Sequence, residues 1–286
     1  MKIIEPKVEL LSELNISPES HIARCSRICY GREDKEPNQE ADEKMVIGLI
    51  KRGHLSMLRH ASIYLSHLEE VTPYLERHIA NSPYWNYSMA LRYASTNFQE
   101  INEIIEREPV TVVDNKQFLK KCAKHPELFE LYRMTFCITT QISTSRELNR
   151  CSPNAIAERS TRYCSSKGGL EICRPWWSKS SEEDIINGHC THKEFLYYIN
   201  AISEAERVYK SLLDEGMKPE DTRGILPLDT ATKVIYTYSI KEWQHILDLR
   251  FYDKTGKAHP NVHVVMQMVK DQINNFAKEH NINYKV

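Results

Sequence analysis

Residues 146–163 read RELNRCSPNAIAERSTRY, and the interpretation of the whole chain starts from this stretch. Six of its positions are arginine or glutamate and few are apolar, so it belongs at a surface rather than in a core. Its possible anion donors are Arg150, Arg159, Ser160, Thr161 and Arg162. Guanidinium and hydroxyl groups of this kind can hold a phosphate. The stretch is therefore either a phosphate site or a solvated charged face.

The composition of the chain favours a small ligand over a polymer. Its 286 residues include 38 Lys and Arg and 39 Asp and Glu, so the formal net charge is −1. Such a chain has no overall attraction to nucleic acid or to an anionic membrane surface. We therefore expect any phosphate site to be a local cluster for a small molecule, with no nucleic-acid polymer and no membrane as partner.

The cysteine pattern and the apolar runs bear on the compartment and on metals. Residues 1–7 lack the apolar core of a signal peptide, and no apolar run is long enough to span a bilayer. The eight cysteines include no Cys-x-x-Cys pair, so we expect free thiols in a reducing cytoplasm. Two histidines and a cysteine occur in Gly188–His192, but no second cluster of matching spacing accompanies them. The sequence therefore predicts no metal site.

Hydrophobic periodicity divides the chain into helices and strands that follow no βαβ order. Helices are predicted over residues 19–30, 38–50, 117–131, 193–215, 241–249 and 260–278. Strands are predicted over residues 61–68, 136–144 and 231–238. The chain has no Gly-x-Gly-x-x-Gly or Gly-x-x-x-x-Gly-Lys motif, so neither a dinucleotide-binding Rossmann fold nor a P-loop is indicated.

Three segments match, in order, the motifs of one enzyme family. They are GHLSMLRHAS at 53–62, the 146–163 stretch, and a run with RGILP at 223–227, YTYSIKEWQHILDLR at 236–250 and AHP at 258–260. These segments resemble the flavin-dependent thymidylate synthases. The corresponding family motifs are His-x-Ser/Thr-x-x-Glu-His, Arg-His-Arg-x-x-Ser-x-x-x-x-Ser-x-Arg-Tyr, and Arg-x-x-Leu-Pro followed by Thr-x-Asn-x-Arg-Glu-Trp-x-His. Chance agreement over three ordered motifs is improbable, although each motif alone is a hypothesis.

The resemblance implies an α/β (α+β) fold, in which a mixed or antiparallel sheet is flanked by helices as in thymidylate synthase-complementing proteins. It implies a single domain over residues 1–286, with a helical insertion near 72–132 and a loop-rich segment near 165–190. A homotetramer whose sites span subunit interfaces is also implied. The implied reaction is the reductive methylation of dUMP to dTMP, with methylenetetrahydrofolate as one-carbon donor and FAD, reduced by NADPH, as reductant.

The same resemblance assigns residues to dUMP. Those implied to bind it are Glu147, Arg150, Glu158, Arg159, Ser160, Thr161, Arg162, Arg223 and Arg250. Arg250 is the implied catalytic residue, because it matches the arginine that polarises the uracil ring and ionises its N3. The structural alternative is a set of solvated charges, with Arg250 complementing the negative end of a helix dipole.

The residues implied to contact the flavin are His54, Ser56, Arg59, Arg150, Cys151, Ser152, Glu158, Ser239, Lys241 and His245. Structural alternatives exist here as well. A single histidine such as His54 is often only a hydrogen-bonding residue, and Ser239 stands where a helix N-cap is expected.

The departures from the family motifs concentrate at these flavin positions. Arg-His-Arg becomes Arg150-Cys151-Ser152, the inner serine becomes Ala155, and Asn-x-Arg becomes Ser239-x-Lys241. The glutamate of the first motif is Arg59, which adds a positive charge. Lysine does not reproduce the planar fork of arginine. Two alternatives therefore stay open: a nucleotide-binding paralogue without the reductive reaction, and an enzyme that modifies C5 of another pyrimidine nucleotide.

Overall fold

The structure of the protein is a computed structural model. It describes residues 1–12, 14–33, 38–66, 68, 73–101, 110–162, 168–178 and 193–286. Most of the predicted loop-rich segment near 165–190 lies outside these residues, as do Tyr163 and Gly188–His192.

Ten strands are found in the described residues. They are Lys2–Ile4 (β1), Lys7–Leu10 (β2), Ser62–Ser66 (β3), Asn86–Ser88 (β4), Tyr93–Asn97 (β5), Thr111–Val113 (β6), Arg133–Gln141 (β7), Ala155–Glu158 (β8), Glu171–Cys173 (β9) and Ala231–Ser239 (β10). Most of them are short, so their stability depends on the strands with which they pair.

The α-helices of the described residues are Pro18–Cys29 (α1), Gln39–Lys51 (α2), Pro73–Asn81 (α3), Phe98–Ile101 (α4), Asn115–Lys124 (α5), Ile142–Leu148 (α6), Lys193–Asp214 (α7), Pro219–Thr222 (α8), Ile240–Arg250 (α9) and Pro260–Glu279 (α10). Short 3-10 segments occur at Leu55–His60, Pro126–Leu131 and Arg223–Ile225. Within the described ranges, no helix is long and apolar enough to cross a membrane.

The predicted α+β class is confirmed by the arrangement of the sheets. The main sheet has the strand order β2-β7-β10-β8, and all of its neighbouring strands are antiparallel. A second antiparallel sheet has the order β4-β5-β3-β6, and β1 pairs with β9 in parallel. Helices flank the main sheet, as the family resemblance implied.

The segment near 72–132, expected to be a helical insertion, combines helices with strands. This segment contains α3, α4 and α5, but it also contributes β4, β5 and β6, which complete a sheet with β3. Strands of three to five residues do not show a clear alternation of apolar and polar positions. They form here because β3 offers both of its edges for pairing.

The centre of the fold is the pairing of β7 with β10. All nine residues of β7 are buried, and the register runs from Ala231 opposite Gln141 to Ser239 opposite Arg133. Met134, Phe136 and Ile138 point to one face and join the main apolar core. Side chains of α9 and α10 complete that core: Trp243, Ile246, Leu247, Val262, Val265, Met266 and Val269.

The opposite face of the same two strands combines the small apolar cluster around Cys137 and Ile235 with buried polar side chains. His21 Nε2 lies 3.0 Å from Thr135 Oγ1, which lies 2.8 Å from Thr237 Oγ1, which in turn lies 2.9 Å from His60 Nδ1. We call these four side chains the histidine–threonine row. Burial lowers the pKa of His21 to about 4, assisted by Arg24, and lowers that of His60 to about 3. Both imidazoles are therefore neutral at physiological pH.

Helix α9 begins with a capping box directly after β10. Ser239 Oγ accepts from the backbone N–H of Glu242, and Glu242 Oε2 accepts from both the backbone N–H and the hydroxyl of Ser239. Both interactions satisfy backbone donors that a helix start leaves unpaired. This box sets the direction in which α9 leaves the sheet.

We expect the stability of the protein to fall in acid because of the two buried histidines. Their pKa values are lower in the folded state than the ordinary 6.5, so the unfolded state binds protons first as pH falls. For His21 this contribution to the free energy of unfolding is about 3 kcal/mol. It is complete above pH 6.5 and is lost as the pH falls towards 4. Urea titrations at pH 8, 6 and 4.5 measure the effect. His21→Gln should show a shallower pH dependence, and an identical slope would contradict the assignment.

Replacing the cap residue should cost stability. Ser239→Ala is expected to lower the free energy of unfolding by about 1 kcal/mol, because it removes the acceptor for a helix N–H. The neighbouring change Lys241→Ala is the control, since an exposed side chain on the same helix turn should alter stability by less than about 0.5 kcal/mol. Equal stabilities of the two variants in urea titrations would argue against a structural role for Ser239.

Candidate functional site

Four predicted dUMP contacts come together just beyond β8. Arg223 Nη1 donates to Thr161 Oγ1 at 3.4 Å, and the backbone N–H of Arg162 donates to Ser160 Oγ at 3.3 Å. We call Ser160, Thr161, Arg162 and Arg223 the donor cluster. Arg162 and Arg223 are exposed, and Arg162 Nη2 lies 3.5 Å from Glu220 Oε2 in α8. The cluster therefore presents two guanidinium groups and two hydroxyls to solvent.

Backbone hydrogen bonds hold the start of the donor cluster. The N–H of Arg159 donates to Lys233 O at 2.8 Å, and the N–H of Ser160 donates to Cys29 O at 3.0 Å. A cavity of about 390 Å³ adjoins this point and is lined partly by Arg159, Ser160 and Thr161. Ser160 and Thr161 consequently stand at the mouth of a space large enough for a small ligand.

Arg159, like Arg162, is paired with an acid, but its acid is shared with a second cation. Arg159 Nη2 lies 3.7 Å from Glu33 Oε1, and Lys233 Nζ donates to the same oxygen at 2.8 Å. Burial opposes ionisation of Glu33, yet the hydrogen bond from Lys233 and the charge of Arg159 hold the pKa of that carboxyl below its ordinary value. Glu33 therefore partly neutralises the charge of Arg159, and less of that charge is available to a ligand.

A second cluster contains the predicted catalytic residue. Arg250 Nη2 donates to the backbone oxygen of Glu147 at 3.4 Å, and the thiol of Cys151 donates to the same oxygen at 3.5 Å. Burial raises the pKa of the Cys151 thiol, while the nearby Arg250 opposes that rise. Arg250 Nε is buried and has no hydrogen-bond partner among the described residues. Arg250 also ends α9, so its charge complements the helix dipole as well.

Glu158 faces into the protein rather than towards a ligand. Ser145 Oγ donates to it at 2.7 Å and Asn149 Nδ2 at 3.3 Å, while the hydroxyl of Tyr236 donates to Asn149 Oδ1 at 2.7 Å. Both carboxylate oxygens are therefore engaged. Glu158 connects α6 to β8 and fixes the spacing between the two clusters.

The two serines predicted to contact the flavin both donate hydrogen bonds to the carboxylate of Glu242. Ser152 Oγ donates to Glu242 Oε1 at 3.0 Å, Ser239 Oγ donates to Glu242 Oε2 at 3.0 Å, and Asn154 Nδ2 also donates to Glu242. Arg133 Nη1, from a fully buried side chain, lies 3.9 Å from Glu242 Oε2. We call these five residues the Glu242 cluster. Neither serine hydroxyl has its proton free for a ligand.

The remaining flavin positions behave differently from the serines. Arg59 is engaged: its Nε donates to Gln99 Oε1 at 2.9 Å, and its guanidinium lies over the ring of Tyr84. By contrast, five side chains are exposed and form no hydrogen bond or ion pair with the described residues: His54, Ser56, Arg150, Lys241 and His245. Lys241 and His245 are four residues apart and thus lie on the same side of α9.

Several residues of these clusters carry little signal in the sequence. Glu33 and Glu220 meet their arginines from distant parts of the chain, and nothing local marks Arg133 as a buried partner of Glu242. The capping-box pattern, a serine followed three residues later by glutamate, could have identified the role of Glu242. Among the described residues, no group of three His, Cys, Asp or Glu side chains could hold a metal ion.

The known proteins that resemble this chain in sequence carry the same family name. The flavin-dependent thymidylate synthase of Synechocystis sp. is 26% identical over 141 residues, which are 48% of this chain and 66% of that protein. The probable flavin-dependent thymidylate synthase of Paramecium bursaria Chlorella virus 1 is 26% identical over 168 residues, 53% of this chain and 74% of that protein. The first match thus spans slightly less than two-thirds of its relative.

A solved structure and a family profile complete the comparison. The UMP/dUMP methylase PolB of Streptomyces cacaoi, bound with 5-Br dUMP, has a TM-score of 0.45 and 15% identity, covering 97% of this chain and 93% of that chain. The family described as thymidylate synthase complementing protein matches residues 81–277, well over half of the sequence. The chain therefore belongs to the thymidylate synthase complementing protein family.

Proposed function

We propose that the protein methylates C5 of dUMP to form dTMP, with a bound flavin as cofactor. The observation that carries the proposal is the donor cluster, in which Arg223 reaches the hydroxyl of Thr161 next to Ser160 and Arg162, and in which the two hydroxyl residues line a cavity. The relatives are named flavin-dependent thymidylate synthases, which supports the flavin and the reaction class. Methylenetetrahydrofolate as one-carbon donor and NADPH as the source of electrons are part of the same proposal.

The architecture of the enzyme is also proposed. We take residues 1–286 as a single catalytic domain that works in the cytoplasm as a homotetramer. The donor cluster follows β8, whereas Arg250 ends α9 near Glu147. Sites shared between subunits would let the donor cluster of one copy face the Arg250 of another.

The donor chemistry of the exposed flavin positions fits FAD. Its diphosphate is anionic, and Arg150, Lys241 and His245 are exposed and have no ion-pair partner among the described residues. Ser152 and Ser239 do not add to this fit, because Glu242 takes their hydroxyl protons. When bound and reduced, the flavin supplies the hydride that converts the transferred methylene into a methyl group.

The side chains of this chain position and polarise the nucleotide. The donor cluster holds the phosphate through charge-assisted hydrogen bonds, which fixes the distance from the phosphate to the base. Arg250 stabilises the negative charge that develops on the uracil ring when C5 becomes nucleophilic. The Glu147 carbonyl holds its Nη2 and so fixes the guanidinium in place.

Loss of one donor-cluster arginine should weaken dUMP binding. For Arg162→Ala we expect the Kd for dUMP, measured by calorimetry, to rise about 10- to 100-fold, since one charge-assisted hydrogen bond contributes about 1.5–3 kcal/mol. Arg207→Ala is the matched control, because Arg207 is an exposed arginine that pairs with Glu204 on α7. Unchanged affinity in Arg162→Ala and Arg223→Ala would sink the proposed phosphate site.

The purified protein should bind FAD and show flavin absorbance. We expect Arg150→Ala and Lys241→Ala each to lower FAD affinity about tenfold, because each removes a cation from the diphosphate. Lys44→Ala is the control, since Lys44 is exposed on α2 and pairs with Glu40. Flavin absorbance after addition of FAD and gel filtration provides the measurement.

One observation favours a second candidate function. Ser152 and Ser239 donate their hydroxyl protons to Glu242, so fewer donors remain for a flavin. This fits a nucleotide-binding paralogue that does not carry out the reductive reaction. Such a protein would bind dUMP with the same dependence on Arg162 and take up no FAD. Mass spectrometry of products, with dUMP and dCMP offered together, also tests the third possibility of another pyrimidine substrate.

A further inference from the structure

The number of protons available to the histidine–threonine row limits which ring nitrogen of each histidine can carry a proton. Three contacts link His21, Thr135, Thr237 and His60, but the two threonine hydroxyls provide only two protons. The third proton must come from one imidazole N–H. If His21 Nε2 donates, both hydroxyls point towards His60 and its Nδ1 accepts. If His60 Nδ1 donates, the order reverses and His21 Nε2 accepts.

Each order fixes the tautomer of both neutral histidines. In the first order both rings carry their proton on Nε2, and in the second both carry it on Nδ1. A mixed pair leaves one contact without a proton, or gives the row one proton too many. Because all four side chains are more than nine-tenths buried, water cannot repair such a mismatch.

The row connects the sheet to a segment that carries predicted cofactor contacts. His60 is fully buried at the end of the 3-10 segment Leu55–His60, while Ser56 in that segment and His54 before it are exposed. Leu58 holds the segment through apolar packing with α2. Apolar contacts alone do not fix rotation, whereas the contact from Thr237 to His60 Nδ1 is directional.

We propose that His60 is a positioning residue: the histidine–threonine row fixes the proton on its ring and thereby the orientation of residues 54–59 towards the bound cofactor. This inference rests on the proposed function for the bound cofactor and the kinetics, whereas the tautomers and the hydrogen exchange are measured independently of it. Besides burial, the charged and titratable groups that act on the two rings are Arg24 and Cys25 at His21, and His21 and Arg133 at His60. None of them is a carboxylate, so the environment keeps both rings neutral.

The coupling of the two tautomers can be measured directly. Long-range 15N–1H spectra of protein labelled at histidine distinguish the Nδ1–H from the Nε2–H form, and His21→Gln and His60→Asn assign the signals. We expect His21 and His60 to show the same tautomer at pH 7.5. One ring in each form, or either ring protonated, overturns the inference.

The positioning role is tested with Thr237→Val, which keeps the shape of the side chain and removes the hydroxyl. We expect amide hydrogen exchange in residues 55–60 to accelerate about tenfold, while exchange in α10 stays unchanged. Thr139→Val is the matched control, because Thr139 lies on the same face of β7 outside the row. Equal exchange in the two variants overturns the proposal.

A kinetic readout separates this proposal from the proposed function. In Thr237→Val we expect kcat to fall about tenfold with the Kd for dUMP unchanged, since misorientation affects the reacting groups rather than the phosphate. His60→Asn, whose amide can replace Nδ1, should retain more activity than His60→Leu. If the wild type forms no dTMP, the proposed function fails, and the tautomer and exchange measurements still decide the role of His60.

Discussion

The antiparallel pairing of β7 with β10 is the constraint on which the rest of the structure depends. Nine residue pairs from Ala231–Gln141 to Ser239–Arg133 place the main apolar core on one face, and the histidine–threonine row beside the small cluster of Cys137 and Ile235 on the other. A shift of the register by one residue would exchange the two faces. Only the observed register pairs the buried hydroxyls with one another and also places the apolar side chains in the main core.

The same pairing locates the candidate site. Helix α6 continues β7 and leads to Glu147 and Cys151, whereas α9 continues β10 and ends at Arg250, so the two helices bring these residues together. Strand β8 pairs with β10 and delivers Ser160 to the sheet edge. The capping box at Ser239 matters to the site because it sets the angle of α9, and with it the position of Arg250.

Local patterns predicted the long elements well and the short strands poorly. The helix predicted at 260–278 and the strand predicted at 231–238 are confirmed, because each has a long apolar periodicity. Strand β7 begins three residues earlier than predicted, since Arg133 and Thr135 are polar yet buried. Motif positions identified the donor cluster. The roles of Glu33, Glu220 and Arg133 were not predicted, because the residues with which they pair are remote in sequence.

The altered flavin positions change the kind of contact that the protein can offer. With serine at position 152, the Glu242 carboxylate accepts hydroxyl and amide protons, and its nearby cation is Arg133 from the buried strand. In the proposed flavin site, the positive charge for the anionic cofactor comes from Arg150 and Lys241, both on exposed side chains. Exposed charges are screened by salt much more than buried ones. Flavin binding by this chain should consequently depend on ionic strength more steeply than binding by a buried, bidentate arginine site.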